Sequence, residues 1–208
     1  MKNFVVLFTA LFFGIFSLSA QVSVLSVVDN NYVFKGVSND LVIMAEEIPC
    51  KEISVLTDVG SWSSSKEACK SVLKIPAETS QDEAEIRLVH EDRVIGKYKL
   101  ELRDLPKPKA VLGHNQNRRG GLFSVDELLA LEGIDLLTEY PKFNFEISDF
   151  SLLIDEKTYQ SSSAFFSKEQ QAAIKKLQSG ERLIFENIHA KGPDGNTRIL
   201  NDIVVKIK

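Results

Sequence analysis

Side chains that bind metals or act as nucleophiles are scarce in this chain: 208 residues carry three histidines, two cysteines and one tryptophan. A protein metal site needs several ligands converging, commonly His at i and i+4 or closely spaced Cys. His90, His114 and His189 are scattered, and Cys50 and Cys69 have no cysteine two residues away, so neither a metal nor any other cofactor is expected. No Gly-x-Ser-x-Gly turn is present to expose a catalytic serine. The serine runs at 61–65 and 161–163 have no neighbouring histidine and read as solvated loops. His90 is expected to be a half-buried strand-edge residue. His189 shares parity with Leu183 and Phe185, which predicts a core or interface position. The 29 acidic residues are spread along the chain, so any paired carboxylates of the glycosidase kind would meet by chance. The expectation is a non-enzyme with no catalytic residues.

Long apolar runs are also lacking, with one exception. Residues 4–16 are nearly all apolar, Lys2 precedes them, and Ser17-Leu18-Ser19-Ala20 offers small residues for cleavage before Gln21. The run is shorter than the roughly 20 residues of a membrane span, so residues 1–20 read as a secretory signal peptide. Cys50 is the first cysteine, so a lipid anchor at the cut has no acceptor. The expected product is a soluble, exported, periplasmic protein with no transmembrane segment after cleavage. Its net charge is one unit more negative than the −4 of the whole chain, a mild acidity that points away from nucleic acid.

The remaining sequence reads as mainly β. From 22 to 103, apolar runs at 22–28, 32–34, 41–45, 53–56 and 72–75 are separated by Asp, Asn, Gly, Ser and Pro. Two longer stretches then alternate, with Ala84, Ile86 and Leu88 in the first and Tyr98, Leu100 and Leu102 in the second, around a turn at Glu91-Asp92-Arg93. About seven short strands in this length predict an immunoglobulin-like β-sandwich over residues 21–104. Trp62 is expected in a loop, Gly-Ser-Trp-Ser-Ser-Ser, and an exposed Trp there would favour a glycan- or peptidoglycan-binding module. An exported hydrolase is the remaining alternative. In an oxidising compartment Cys50 and Cys69 could pair as a disulfide; otherwise they are two small buried apolar residues.

The second half, 105–208, reads as an α+β domain, β-rich with two helices. One helix is predicted at 124–131, capped by Ser124 and stopping before Gly133. A second opens on the capping box Ser167-Lys-Glu-Gln170 and ends at Gly180 as a left-handed C′ residue. Phe143, Phe145 and Ile147 fall on odd positions, but Phe150, Leu152 and Ile154 fall on even ones. One strand cannot change faces without an extra residue, so a bulge is predicted near Ser148 or Asp149. Gly192-Pro193-Asp194-Gly195 has the chemistry of a hairpin turn, and Ile203, Val205 and Ile207 share one face of the last strand.

Between the halves lies Leu105-Pro-Lys-Pro108, where two prolines each remove a backbone donor. A loop follows that carries Lys107, Lys109, Arg118 and Arg119 with no acid and closes on Gly120-Gly121. Two guanidinium groups beside a glycine pair could hold an acidic partner surface, making Arg118, Arg119, Gly120 and Gly121 candidate partner-binding residues. The alternative is a solvated linker.

These motifs together resemble one family. The Leu105-Pro-Lys-Pro108 joint, Val111-Leu-Gly113, Gly120-Gly121, Phe143-Asn-Phe145 as a strand opening, and Gly192-Pro193-Asp194-Gly195 ahead of Arg198-x-Leu200 are similar, in that order, to the C-terminal region of the GldM/PorM family. His114 stands where that family has a second glycine. The resemblance implies type IX secretion or gliding machinery of Bacteroidetes-type bacteria, with protein partners in the cell envelope and self-pairing into a dimer. It also implies the far end of a periplasmic shaft rather than the membrane-embedded motor part. The expected role is a non-enzymatic protein–protein interaction and structural module.

Overall fold

The computed structural model describes residues 23–27, 32–64, 69–113 and 120–208. The expected signal segment, His114, Arg118 and Arg119 lie outside them.

The first half is built from short alternating strands. β1 (Ser23–Val27), β3 (Ser38–Ala45), β6 (Lys70–Lys74) and β5 (Ser61–Ser64) form one antiparallel sheet in the order β1-β3-β6-β5. A second sheet has the order β2 (Tyr32–Phe34), β8 (Arg93–Arg103), β7 (Glu83–His90), β4 (Ser54–Thr57), with β2 parallel to β8. Their inner faces share one core, Leu41, Ile43 and Leu73 from the first sheet against Val33, Ile86, Leu88, Leu100 and Leu102 from the second. Sheet on sheet is how alternating strands bury their apolar faces. The β7–β8 turn has both Glu91 and Asp92 at positive φ, 47° and 62°, as a two-residue hairpin of the right twist requires. A 3₁₀ turn at Cys50–Glu52 leads into β4, and Cys50 is disulfide-bonded to Cys69 with Cα atoms 5.1 Å apart.

One expectation here fails. Trp62 is on β5, paired with Leu73, and its half-buried ring packs against the sandwich core. The serines around it face water on an edge strand, which is why the segment reads as loop from composition.

The second half has one large sheet: β10 (Gly120–Phe123), β16 (Ile203–Ile207), β14 (Arg182–Lys191), β12 (Glu146–Ile154), β13 (Lys157–Ser161), with β15 (Thr197–Ile199) also on β14. β10 and β16 are parallel and the other pairs are antiparallel. A separate ribbon joins β9 (Lys109–Val111) to β11 (Asp135–Leu137). Helices α1 (Val125–Leu129) and α2 (Lys168–Ile174) cover one sheet face, packing Leu128 and Ile174 into a core with Phe123, Phe150, Leu152, Phe185 and Val205. Both helices open on full capping boxes, Ser124/Glu127 and Ser167/Gln170. Gln170 is fully buried and also donates to the Tyr159 carbonyl, 3.0 Å.

Several local expectations are corrected. α2 stops at Ile174, and Gly180 (φ 95°) serves the turn into β14 instead. After α1 the left-handed residue is Glu132 (φ 61°). Gly133 is required by close approach, because a Cβ there would sit 2.2 Å from the Ala164 carbonyl. Ser161 is buried on β13, donating to the Phe165 carbonyl at 2.6 Å, rather than lying in a solvated loop. Phe143 and Phe145 precede β12 instead of opening it.

The predicted bulge is present: the β12 register shifts on either side of Asp149. β14 carries a compensating extra residue near Asn187, held at φ 51°, so pairing returns to register at Ser151–Glu186. That second bulge turns Ile188 and Ala190 into the core and rotates His189 out, against its parity with Leu183 and Phe185.

Candidate interaction surfaces

The proline joint is where the two halves meet. Leu105 is buried with Phe34, Val37 and Phe143, and Tyr32, Tyr140 and Phe145 pack around them. Phe34 is the hub, edge-on to Phe143 at 5.3 Å, to Tyr140 at 5.0 Å and to Tyr32 at 5.2 Å between ring centroids. The Tyr32 and Tyr140 hydroxyls are hydrogen-bonded to each other. Arg103 lies 3.8 Å above the Tyr32 ring and is fixed by two hydrogen bonds to Glu101, 2.7 and 2.9 Å. The Asn39 amide, buried, accepts from Phe34 N–H and donates to the Phe34, Val37 and Leu73 carbonyls, so the bend carrying Phe34 is held from inside.

The Gly192-Pro193-Asp194-Gly195 turn of the β14–β15 hairpin docks on this joint. Asp194 takes two hydrogen bonds from Arg198, 2.9 and 2.5 Å, with only 4% and 11% of the two side chains exposed. Arg198 also reaches the Leu105 carbonyl at 3.5 Å and lies 5.4 Å from the Phe145 ring. The Arg198 hydrogen bonds hold the Asp194 carboxyl below its ordinary pKa, outweighing the opposing effect of burial. On the sandwich side the turn meets Gly36, at φ 79°, where an added Cβ would lie 2.4 Å from that of Asp194. Beside it the nearly buried Lys35 ammonium sits 3.9 Å from both Asp82 and Asp104. Sequence reasoning finds the turn but not its docking, because nothing local links residue 36 to residue 194.

Of the basic segment, Gly120 and Gly121 are placed on β10, paired in parallel with Val204 and Val205, rather than in a loop. Gly121 has φ 119°, and Lys107 and Lys109 are both exposed, Lys109 opening β9.

At the double bulge, His189 Nδ1 contacts Asp149 Oδ1 at 2.7 Å. Burial opposes ionisation of Asp149, yet hydrogen bonds from His189 and Ser148 prevail and keep its carboxyl below the usual range. The Ser148 hydroxyl is turned to Asp149 Oδ2 (2.8 Å) and the His189 carbonyl (3.3 Å), not to the imidazole, so the three residues lack the serine-to-base contact of a nucleophilic triad. Among the described residues no group of three or more His, Cys, Asp or Glu could hold a metal ion.

The sheet face opposite the helices has no covering layer among the described elements. Cross-strand pairing lays Gly120, Val204, Ile184, Leu153 and Thr158 in one row across it. Val204 is 49% exposed, Leu122 57% and Ile199 61%. Lys206 opposite Leu122, Arg182 and Glu186 frame the stripe. A rigid β surface with an apolar centre and charged margin can bind protein.

Comparison with known proteins bears on the same half. Residues 106–208 match the family model described as GldM C-terminal domain. No curated protein matches the chain. Among solved structures the chain is similar to adhesin InvE of Yersinia pseudotuberculosis, at 8% identity and a TM-score of 0.32, over 91% of this chain and 59% of that one. It is also similar to domains 6-7 of the surface layer protein SbsC, at 11% identity and a TM-score of 0.34, over 89% of this chain and 97% of that one. The chain therefore spans somewhat more than half of the adhesin chain, and both scores are too low to add to the fold described above.

Proposed function

Because residues 106–208 belong to the GldM C-terminal domain family, we propose that this protein is a non-enzymatic interaction and structural module of the type IX secretion or gliding machinery, acting in the periplasm. That family membership is the observation that carries the reading. Three features of the chain support it. The strand order β1-β3-β6-β5 against β2-β8-β7-β4 matches the A-B-E-D and A′-G-F-C arrangement of an immunoglobulin-like sandwich, a common spacer in surface assemblies. Residues 21–104 and 105–208 then act as two domains locked by the aromatic joint. A disulfide suits an exported protein, and no helix among the described residues is long and apolar enough to cross a membrane.

In this reading the uncovered face around Val204 and Leu122 meets an envelope protein or a second copy of the chain. Arg118 and Arg119 supply cationic steering toward an acidic surface. The glycan-binding alternative loses its main support, since Trp62 packs against the sandwich core.

Photo-crosslinkers placed at Leu122 and Val204 in living cells test the proposal. Adducts to protein subunits of the secretion or gliding machinery, forming more slowly and with a weaker dependence on ionic strength when Arg118 and Arg119 are both changed to Ala, are the expected result. Adducts to glycan alone, or none above an unlabelled control, would overturn it.

A further inference from the structure

The ribbon β9–β11 and the large sheet come together without joining. Its two edges are treated differently. On the β9 side the Asn201 amide closes the edge, accepting from Ala110 N–H at 3.0 Å and donating to the Ala110 carbonyl at 3.1 Å, a side chain standing in for a neighbouring strand. On the other side no strand among the described residues pairs with Asp135–Leu137.

β12 repeats the pattern. β13 runs along it only from Phe150 to Ile154, leaving 146–149 paired with β14 alone. The β11 edge and the first two residues of the β12 edge, Glu146 and Ile147, line one groove of about 730 Å³. One end is shut where Gly133 bridges Phe165, with Ile134 N–H on the Ala164 carbonyl at 2.9 Å and Phe166 N–H on the Glu132 carbonyl at 2.8 Å.

The walls are apolar. Leu136, Phe145 and Ile147 are half-buried along the groove, and Leu137 (38% exposed) and Phe165 (64%) stand at its rim. Its ionisable lining is Asp135 and Glu146, with no Lys or Arg. Folded proteins usually blunt open edges with charge, proline or cover; here two edges flank an apolar floor.

We propose that this groove takes up an extended strand of a protein partner, one that alternates apolar side chains with Lys or Arg, by pairing its backbone with β11 on one side and with Glu146 and Ile147 of β12 on the other. Backbone pairing gives affinity, and the Phe145, Phe165 and Leu137 walls select the alternate side chains. The carboxylates choose cations between them. A second copy of this chain offering the same edges would set Asp135 and Glu146 against their own counterparts, which disfavours self-pairing at this place.

The inference rests on the reading of the chain as an interaction module and names one partner chemistry for it. The probe is the peptide acetyl-Lys-Val-Lys-Phe-Lys-Val-Lys-amide, with a version N-methylated at the Phe amide and at the Lys amide before it as control, since adjacent amides donate to opposite edges. Expected is slowing of amide hydrogen exchange by about tenfold at Leu136, whose backbone groups face away from β9, and on the Glu146–Ile147 edge with the first peptide and not the second. Binding should weaken about tenfold in Leu137→Lys and Phe165→Lys, exposed positions whose variants should keep the native circular dichroism. Equal protection by the methylated peptide, protection elsewhere, or unchanged binding by both variants overturns the proposal. Protection of the same amides that grows with protein concentration, without peptide, overturns it in favour of a second copy. Crosslinks from Val204 and Leu122 do not depend on this groove, so they can persist while it fails.

Discussion

The two halves solve the same problem, hiding one face of a sheet, with different consequences. In the sandwich each sheet is the other's cover, strands are short, and a disulfide across 19 residues adds a covalent tie. In the C-terminal half the cover is two short helices, which hide one face of a broad sheet and leave the other to solvent. Sheet-on-sheet packing uses up the apolar surface inside the domain. Helix-on-sheet packing leaves an exposed face, with Val204 and Leu122 on it, and the separate β9–β11 ribbon keeps an open edge among the described residues. The first half is thus suited to spacing and the second to contact, and Phe34 and Phe143 pack edge-on where the two meet.

The comparison breaks first if the halves prove to be one cooperative unit. Phe185 is fully buried, stacked on Phe166 at 5.3 Å and edge-on to Phe150 at 6.0 Å. Phe185→Ala should cost about 3–5 kcal/mol, visible by circular dichroism in a urea series. Trp62, the one tryptophan, reports the sandwich by fluorescence. A fluorescence midpoint that stays put while the dichroism midpoint falls means separate units; if both fall together, the joint couples them.

The converse experiment removes the tie in the first half. Changing Cys50 and Cys69 both to Ala should cost about 3 kcal/mol through the greater freedom of the unfolded chain. The loss should appear in the Trp62 transition. A variant as stable as the parent would show that the sandwich core suffices, and the contrast between the halves would shrink.

Periodicity made much of this architecture legible. The parity slip between Ile147 and Phe150 located a bulge to within a residue, because a face exchange has no other local cause. The same slip between Phe185 and Ile188 was readable in β14, and taking parity from Leu183 through to His189 missed it. Other features had no local signal. β5 escaped because an edge strand of serines with one wet face looks like loop, and Tyr32 meets Tyr140 across 108 residues. The Phe143 and Phe145 pattern was real, but those rings serve the joint rather than the strand. The two open edges of the groove are likewise invisible in sequence, since an unpaired strand reads like a paired one.

The smallest effect sharpens the comparison at the point where the halves touch. Asp194 belongs to the C-terminal half, yet it lies against Gly36 of the sandwich, and its carboxyl is held below its ordinary pKa chiefly by Arg198. A depressed carboxyl contributes stability that is fully present above its unfolded pKa, about 3.9, and is lost as pH falls through the lower folded value. Asp194→Asn should therefore be less stable than the parent by about 2 kcal/mol at pH 7, the scale of a hydrogen bond to a charged group. That gap should begin to narrow below about pH 4, where the unfolded chain takes up the proton, and close as the pH falls through the lower folded value. Other carboxylates cancel in the difference. If the gap appears in the dichroism transition and also in that of Trp62, the turn stabilises both halves through the joint. If it is confined to the dichroism, the turn is a local feature of the β14–β15 hairpin. A gap of unchanged size at pH 3 would mean that the side chain matters for its shape and not for its charge.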